Sequence, residues 1–196
     1  MMQMHCLPLG ALQTNCYMIW GEGSECCLVI DPGDEPEKVL LAAKKHDKTI
    51  EAILLTHGHF DHVGAVAALR DHTGCDVYLC PEDLTIPHRF TAGPLHPTHT
   101  YTEGHVLKLA GLEICVLHTP GHTPGSVCLA VENCLFSGDT LFQNSCGRTD
   151  LPGGNWAQIR KSLKRLAELE TNYRVYPGHG PSTTLADEKQ YNPYMQ

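Results

Sequence analysis

The stretch Thr56–Gly64 reads THGHFDHVG, and it places His57, His59, Asp61 and His62 directly after the apolar run Ile53–Leu55. A buried strand that ends here and turns at Gly58 lets the side chains of the turn converge on one point. His57 and His59, two apart in extended chain, can face the same ion. Asp61 and His62, near the start of a following helix, can serve a second. Imidazole nitrogen and carboxylate oxygen are the donors that zinc and its neighbours favour, and a catalytic site keeps one position open for water.

One cluster cannot close a two-metal site, so matching donors must stand at other strand ends. TPGHTPGS carries His122 after the predicted strand Leu112–His118, FSGDTLF carries Asp139 after Cys134–Ser137, and YPGHGP carries His179 after Tyr173–Tyr176. Each sits beside a glycine, just past its strand. An aspartate, with two oxygens, is the natural bridge between two cations. In a chain with 13 histidines a histidine-rich turn means little alone; three partners at three further strand ends give it meaning.

The rest of the chain bounds the reading. Its 196 residues, 42% hydrophobic and 18% charged, suit one globular domain over residues 1–196 with a sizeable core. A formal charge of −8 disfavours nucleic acid or an anionic membrane as partner. No secretory leader or membrane-spanning run is expected. The ten cysteines are scattered, without C-x-x-C pairs and mostly among apolar neighbours, as in ECCLVI and EICVL. They read as reduced thiols in a cytoplasmic protein.

Periodicity predicts strands at Met1–Leu7, Asn15–Trp20, Cys26–Ile30, Ile50–Leu55, Asp76–Cys80, His105–Leu109 and Ser126–Val131, besides the three that precede ligands. It predicts helices over Glu35–Asp47, Val63–His72, Trp156–Glu168 and Thr184–Tyr191. Pro81–Gly104 and Asn144–Gly154 read as irregular. Grouped strands with helices between some of them suit an αββα layering better than strict β/α alternation.

H-x-H-x-D-H at His57–His62, with His122, Asp139 and His179, resembles the metallo-β-lactamase superfamily. The likeness runs from VIDPG (Val29–Gly33) to PGHGP (Pro177–Pro181). It implies an α+β fold, a four-layer αββα sandwich, with two divalent metal ions at one sheet edge, zinc foremost and iron or manganese as alternatives. By that resemblance His57, His59 and His122 hold the first ion, Asp61, His62 and His179 the second, and Asp139 bridges. Asp31 matches a position that often supports a metal-binding histidine, although D-P-G is also an ordinary turn. Thr56 and Ser137, next to ligands, are candidates for similar support.

β-Lactamases of this fold usually carry cysteine or serine where Asp139 stands, which disfavours antibiotic hydrolysis. The loop CGRTDLPGGN (Cys146–Asn155) and the ending GPSTTLADEKQYNPYM are similar to short glyoxalase II-like proteins, which resemble hydroxyacylglutathione hydrolases without their glutathione-gripping helical domain. The implied reaction is hydrolysis of a small-molecule thioester by water activated between two metals, with Asp61 orienting it and taking its proton. Two other readings stay open. One is a persulfide dioxygenase with a single iron on His57, His122 and Asp139; the other is a catalytically silent metal-binding protein. Arg148 is either a substrate-carboxylate contact or a loop-fixing partner of Asp150, and Phe142, His88 and His96 are placed only as candidates for the pocket's border.

Overall fold

The structure, a computed structural model, describes all 196 residues. Two six-stranded sheets face each other. The first runs β1 (Met2–Leu9), β2 (Thr14–Gly21), β3 (Cys26–Ile30), β4 (Thr49–Leu54), β5 (Asp76–Leu79) and β6 (His99–Thr100) in spatial order. β1 to β3 pair antiparallel and β3 to β6 parallel. The second sheet comprises β7 (Val106–Leu109), β8 (Leu112–His118), β9 (Val127–Val131), β10 (Cys134–Gly138), β13 (Arg174–Pro177) and β14 (Thr183–Thr184). Its one parallel pairing joins β10 to β13. A small ribbon of β11 (Leu141–Phe142) and β12 (Ser145–Cys146) lies apart.

Strand periodicity sorts the core into three layers. Side chains alternate across a strand, so β2 sends Cys16, Met18 and Trp20 to one face and Tyr17 and Ile19 to the other. The first set packs with Val39, Ala42 and Ala43 of α1 (Pro36–Lys45) and Leu69 of α3 (Val66–Thr73). The second meets Ile114, Val116, Leu129 and Phe136 of the opposite sheet. That sheet's outer face, including Cys128, Leu135 and Val175, is covered by Ile159, Leu163 and Leu166 of α4 (Trp156–Ala167) and Leu185 of α5 (Leu185–Tyr191). The result is an αββα sandwich.

Local chemistry sets the helix ends. The Asn155 side chain accepts the Gln158 N–H at 3.0 Å to start α4, and Thr184 accepts the Asp187 N–H at 3.2 Å to start α5. One predicted helix differs. Val63–His72 is two pieces, a single turn α2 (Phe60–Val63) and then α3. The Ala65 N–H goes to Pro32 O at 3.0 Å instead of continuing the ladder. Gly64 lies so close to Gly33 that a Cβ there would come within 2.2 Å of Gly33 O. Helical structure also begins earlier than expected, at Phe60, which puts Asp61 and His62 on α2. Pro81–Gly104 is less irregular than expected: it forms 3₁₀ turns at Pro81–Thr85 and His88–Phe90 and supplies β6. Within Asn144–Gly154, Ser145–Cys146 is paired as β12. All ten cysteines are free thiols, and no helix is long and apolar enough to cross a membrane.

Candidate metal centre

Four connections at one edge of the sandwich carry the sequence-predicted donors. β4 runs into the loop of His57 and His59 and then into α2 with Asp61 and His62. The β8–β9 loop carries His122, the residue after β10 is Asp139, and the loop after β13 carries His179. All seven side chains meet. The donor atoms of His57, His59 and His122 lie within 4.8 Å of one another, as do those of Asp61, His62 and His179. Asp139 stands between the two groups: Oδ1 is 3.4 Å from His62 Nε2, and Oδ2 is 3.6 Å from His122 Nε2 and 3.7 Å from His179 Nε2. Metal arms of about 2.1 Å at tetrahedral angles place donors about 3.4 Å apart, which matches this spacing.

Tautomers agree with that use. Thr56 Oγ1 donates to Asp31 Oδ2 at 2.5 Å, so its oxygen accepts from His57 Nδ1 at 3.2 Å. His62 Nδ1 donates to Asp31 Oδ2 at 2.9 Å, and His122 Nδ1 donates to the Arg148 carbonyl at 2.8 Å. In the neutral imidazole each bond directs the lone pair of Nε2 inward. His59 is reversed, with Nδ1 at 2.9 Å from His122 Nε2. Of five buried side-chain nitrogen or oxygen atoms without a hydrogen-bond partner, four belong to these residues; three of them, His57 Nε2, His62 Nε2 and Asp139 Oδ1, are the atoms assigned as donors, and the fourth is the other ring nitrogen of His59. Buried polar atoms are ordinarily satisfied, so this concentration fits a set of metal donors. Gly178 completes the fit, because a Cβ there would fall 2.3 Å from Asp139 Oδ1 and 2.6 Å from His62 Cε1. The residues present can hold two divalent cations.

The two groups titrate differently. Burial lowers His57 well below its usual value, with neighbouring imidazoles adding to it, and pushes His59 down to about 4. Burial also lowers His122. Burial acts on His62 too, but the carboxylates of Asp139 and Asp31 outweigh it and raise that imidazole well above its usual value. The hydrogen bond to Asp61 raises His179. For Asp61 and Asp139 burial favours the neutral acid, yet the facing histidines hold both below the usual carboxylate range.

The supporting residues fall out unevenly against expectation. Asp31 makes the turn after β3, with a left-handed φ of 51°, and also reaches His62 and Thr56. Ser137 touches no ligand; its hydroxyl donates to Leu141 O at 2.7 Å and so holds the loop of Asp139. The Arg148 guanidinium makes a bidentate pair with Asp150, at 2.7 Å for both bonds, while its carbonyl orients His122. Sequence reasoning weighed that guanidinium and missed the carbonyl. It also missed Asp83, in the 3₁₀ turn Pro81–Thr85. Its fully buried carboxylate accepts from Gly58 N, Thr123 Oγ1 and Gly125 N at 2.8, 3.0 and 2.6 Å. Burial pushes that acid up to about 6.

A cleft of about 460 Å³ opens over the donors, and Leu12, Phe60, Phe90, Phe142 and Leu151 wall it. Phe142 borders it, whereas His88 and His96 do not. Arg148 is the one lysine or arginine in the lining.

The model of the metallo-beta-lactamase superfamily matches residues 9–179. The hydroxyacylglutathione hydrolase GloC of Haemophilus influenzae is 34% identical over 99% of this chain and 98% of its own. Among solved structures, the BLEG-1 B3 metallo-beta-lactamase superposes with a TM-score of 0.88 at 38% identity, covering 98% of this chain and 99% of that one. TTHA1623 in a di-iron-bound form gives 0.86 at 43% identity, covering 97% and 99%. With the match spanning both halves of the metal centre, this chain belongs to the metallo-β-lactamase superfamily.

Proposed function

We propose that the chain is a dinuclear metallohydrolase that cleaves a small-molecule thioester of the hydroxyacylglutathione type. His57, His59 and His122 would hold one cation and Asp61, His62 and His179 the other, with Asp139 within reach of both groups. The observation that carries the reading is the convergence of both triads on one carboxylate, with the inward nitrogens fixed by their hydrogen bonds. The likeness to GloC supports the thioester. Zinc suits the mixed nitrogen and oxygen donors, and iron is the alternative supported by TTHA1623.

Bound there, two divalent cations supply Lewis acidity and a water whose pKa falls toward neutrality. The chain's own residues do the rest. Asp61 Oδ2, 3.1 Å from His179 Nε2 and 3.4 Å from Thr14 Oγ1, stays ionised and takes the proton from the attacking water. Phe60, Phe90, Phe142 and Leu151 exclude bulk water from the thioester and grip its apolar parts. The thiolate is itself a good leaving group. We read the protein as cytoplasmic, with neither nucleic acid nor membrane as partner, in keeping with its free thiols and its charge.

The single-iron dioxygenase reading leaves the second triad without a role. Asp61, His62 and His179 nonetheless lie within 4.8 Å of one another, close enough to hold the second ion that the hydrolase reading requires. The test is metal analysis of protein purified without added metal, coupled to a substrate panel. Two ions with turnover of S-D-lactoylglutathione support the proposal. One iron with oxygen uptake on glutathione persulfide overturns it in favour of the dioxygenase, and inactivity on every substrate favours the silent protein. A β-lactam belongs in the panel, because BLEG-1 shares 38% of its residues despite the expectation drawn from Asp139. Full thioesterase activity and normal metal content in Asp61→Ala would remove Asp61 from the mechanism.

A further inference from the structure

Asp83 lies outside both triads, yet it ties together the two loops that carry the first one. Gly58, whose N–H it accepts at 2.8 Å, stands between His57 and His59 on the first sheet's side. Thr123 and Gly125, which donate at 3.0 and 2.6 Å, follow His122 on the second sheet's side. All three partners are neutral donors, and the carboxylate is 0% exposed. The approach demands glycine at position 125, because a Cβ there would fall 2.7 Å from Asp83 Oδ1 and 2.8 Å from its Cγ. A side chain added at Gly58 would strike Leu95 Cδ1 at 2.8 Å and reach 3.5 Å from Asp83 Cβ. The two loops therefore close around one acceptor.

The second triad is anchored by other means. Asp31 holds His62 at 2.9 Å. Asn15 binds the His179 loop through Pro177 O at 3.0 Å, Gly180 O at 2.9 Å and Gly178 O at 2.7 Å, and Tyr17 Oη donates to Pro177 O at 2.7 Å. None of these bonds involves Asp83.

We propose that Asp83 is a positioning residue that sets the affinity of the first cation site alone, by clasping the His57–His59 loop to the His122 loop. The inference rests on the dinuclear reading above. An asparagine at this position can accept at only one of its two ends. Its NH₂ group then faces either the Gly125 N–H or the pair Gly58 N–H and Thr123 hydroxyl, donor against donor, and one loop is released. Supporting groups behind metal-binding histidines typically change affinity by about 10- to 100-fold.

The experiment titrates zinc into metal-free protein against a chromophoric chelator, with each site isolated in turn. In a His179→Ala background, which keeps the first site, Asp83→Asn is expected to weaken zinc by about 10- to 100-fold. In a His122→Ala background, which keeps the second, the same change is expected to leave affinity within about twofold, because Asp83 makes none of the bonds that anchor that triad. Thr123→Val keeps the carboxylate and both backbone bonds. It is expected to weaken the first site in the same direction by several-fold, and it carries the test if Asp83→Asn does not fold. Equal losses at both sites would make Asp83 a general structural residue and overturn the inference. So would unchanged affinity at the first site while the wild type binds two ions. A wild type that binds fewer than two ions would overturn the dinuclear reading itself, and this inference with it.

Discussion

His57, His59 and His122 meet edge to face, with ring centroids 4.6–4.9 Å apart, whereas Asp61, His62 and His179 alternate acid and base. In the first triad burial keeps the imidazoles neutral near pH 7, with lone pairs already available. In the second, carboxylates favour protonated histidine, so a cation entering there displaces protons. Exposure separates individual residues and not the triads: His62 is as buried as His57, and His179, at 29%, is the open one. On the proposed dinuclear reading, two sites that share Asp139 thus differ in their dependence on pH and in which loops hold them.

The largest effect expected from breaking this arrangement is at the shared carboxylate. Asp139→Ala removes the bridge and leaves His62, His122 and His179 facing one another. Metal analysis should then find neither ion firmly held, and activity should fall by about 10³-fold or more, the scale of several kcal/mol of lost electrostatic stabilisation. Retention of both ions would show that each triad is self-sufficient.

Gly178→Ala should act next most strongly, and on one side. Its Cβ would press on Asp139 Oδ1 and His62 Cε1, so the second ion should bind about 10- to 100-fold more weakly in zinc titrations while circular dichroism stays unchanged. Acidification sharpens the same contrast without mutation. The histidines of the second triad have raised pKa values, so protons compete there first. As pH falls from about 8 to 5, zinc affinity should drop at the second site well before the first. Parallel loss at both sites would contradict the electrostatic distinction.

The smallest effect is expected at Arg148. Its guanidinium and Asp150 form an exposed pair, while the contact that matters to His122 is the backbone carbonyl. Arg148→Ala should leave metal content and melting temperature unchanged, measured by elemental analysis and calorimetry. A lost ion would mean that the side chain, and not the main chain, positions His122.

The seven candidate donors were legible in the sequence because each is a metal-capable residue in a turn where an apolar run stops, five of them directly beside a glycine. The layering was legible for the same reason, since β2 and its neighbours alternate so regularly. Asp83 was not legible. It lies in a proline-rich segment without periodicity, and its partners are 25, 40 and 42 positions away, two of them backbone N–H groups that no residue type announces. The break between α2 and α3 was hidden likewise, because it arises from Pro32 O and the contact of Gly33 with Gly64, not from the helix's own residues. Sequence spacing shows what a turn can offer; the carbonyls and carboxylates that aim it come from remote segments.

The most direct measurement is an anomalous-difference map from crystals of the zinc-loaded protein, recorded at the zinc edge. Two peaks about 3.5–4 Å apart are expected, one among His57, His59 and His122, the other among Asp61, His62 and His179, with Asp139 between them. A single peak, or a pair with His179 or Asp139 turned away from both, would contradict the dinuclear centre.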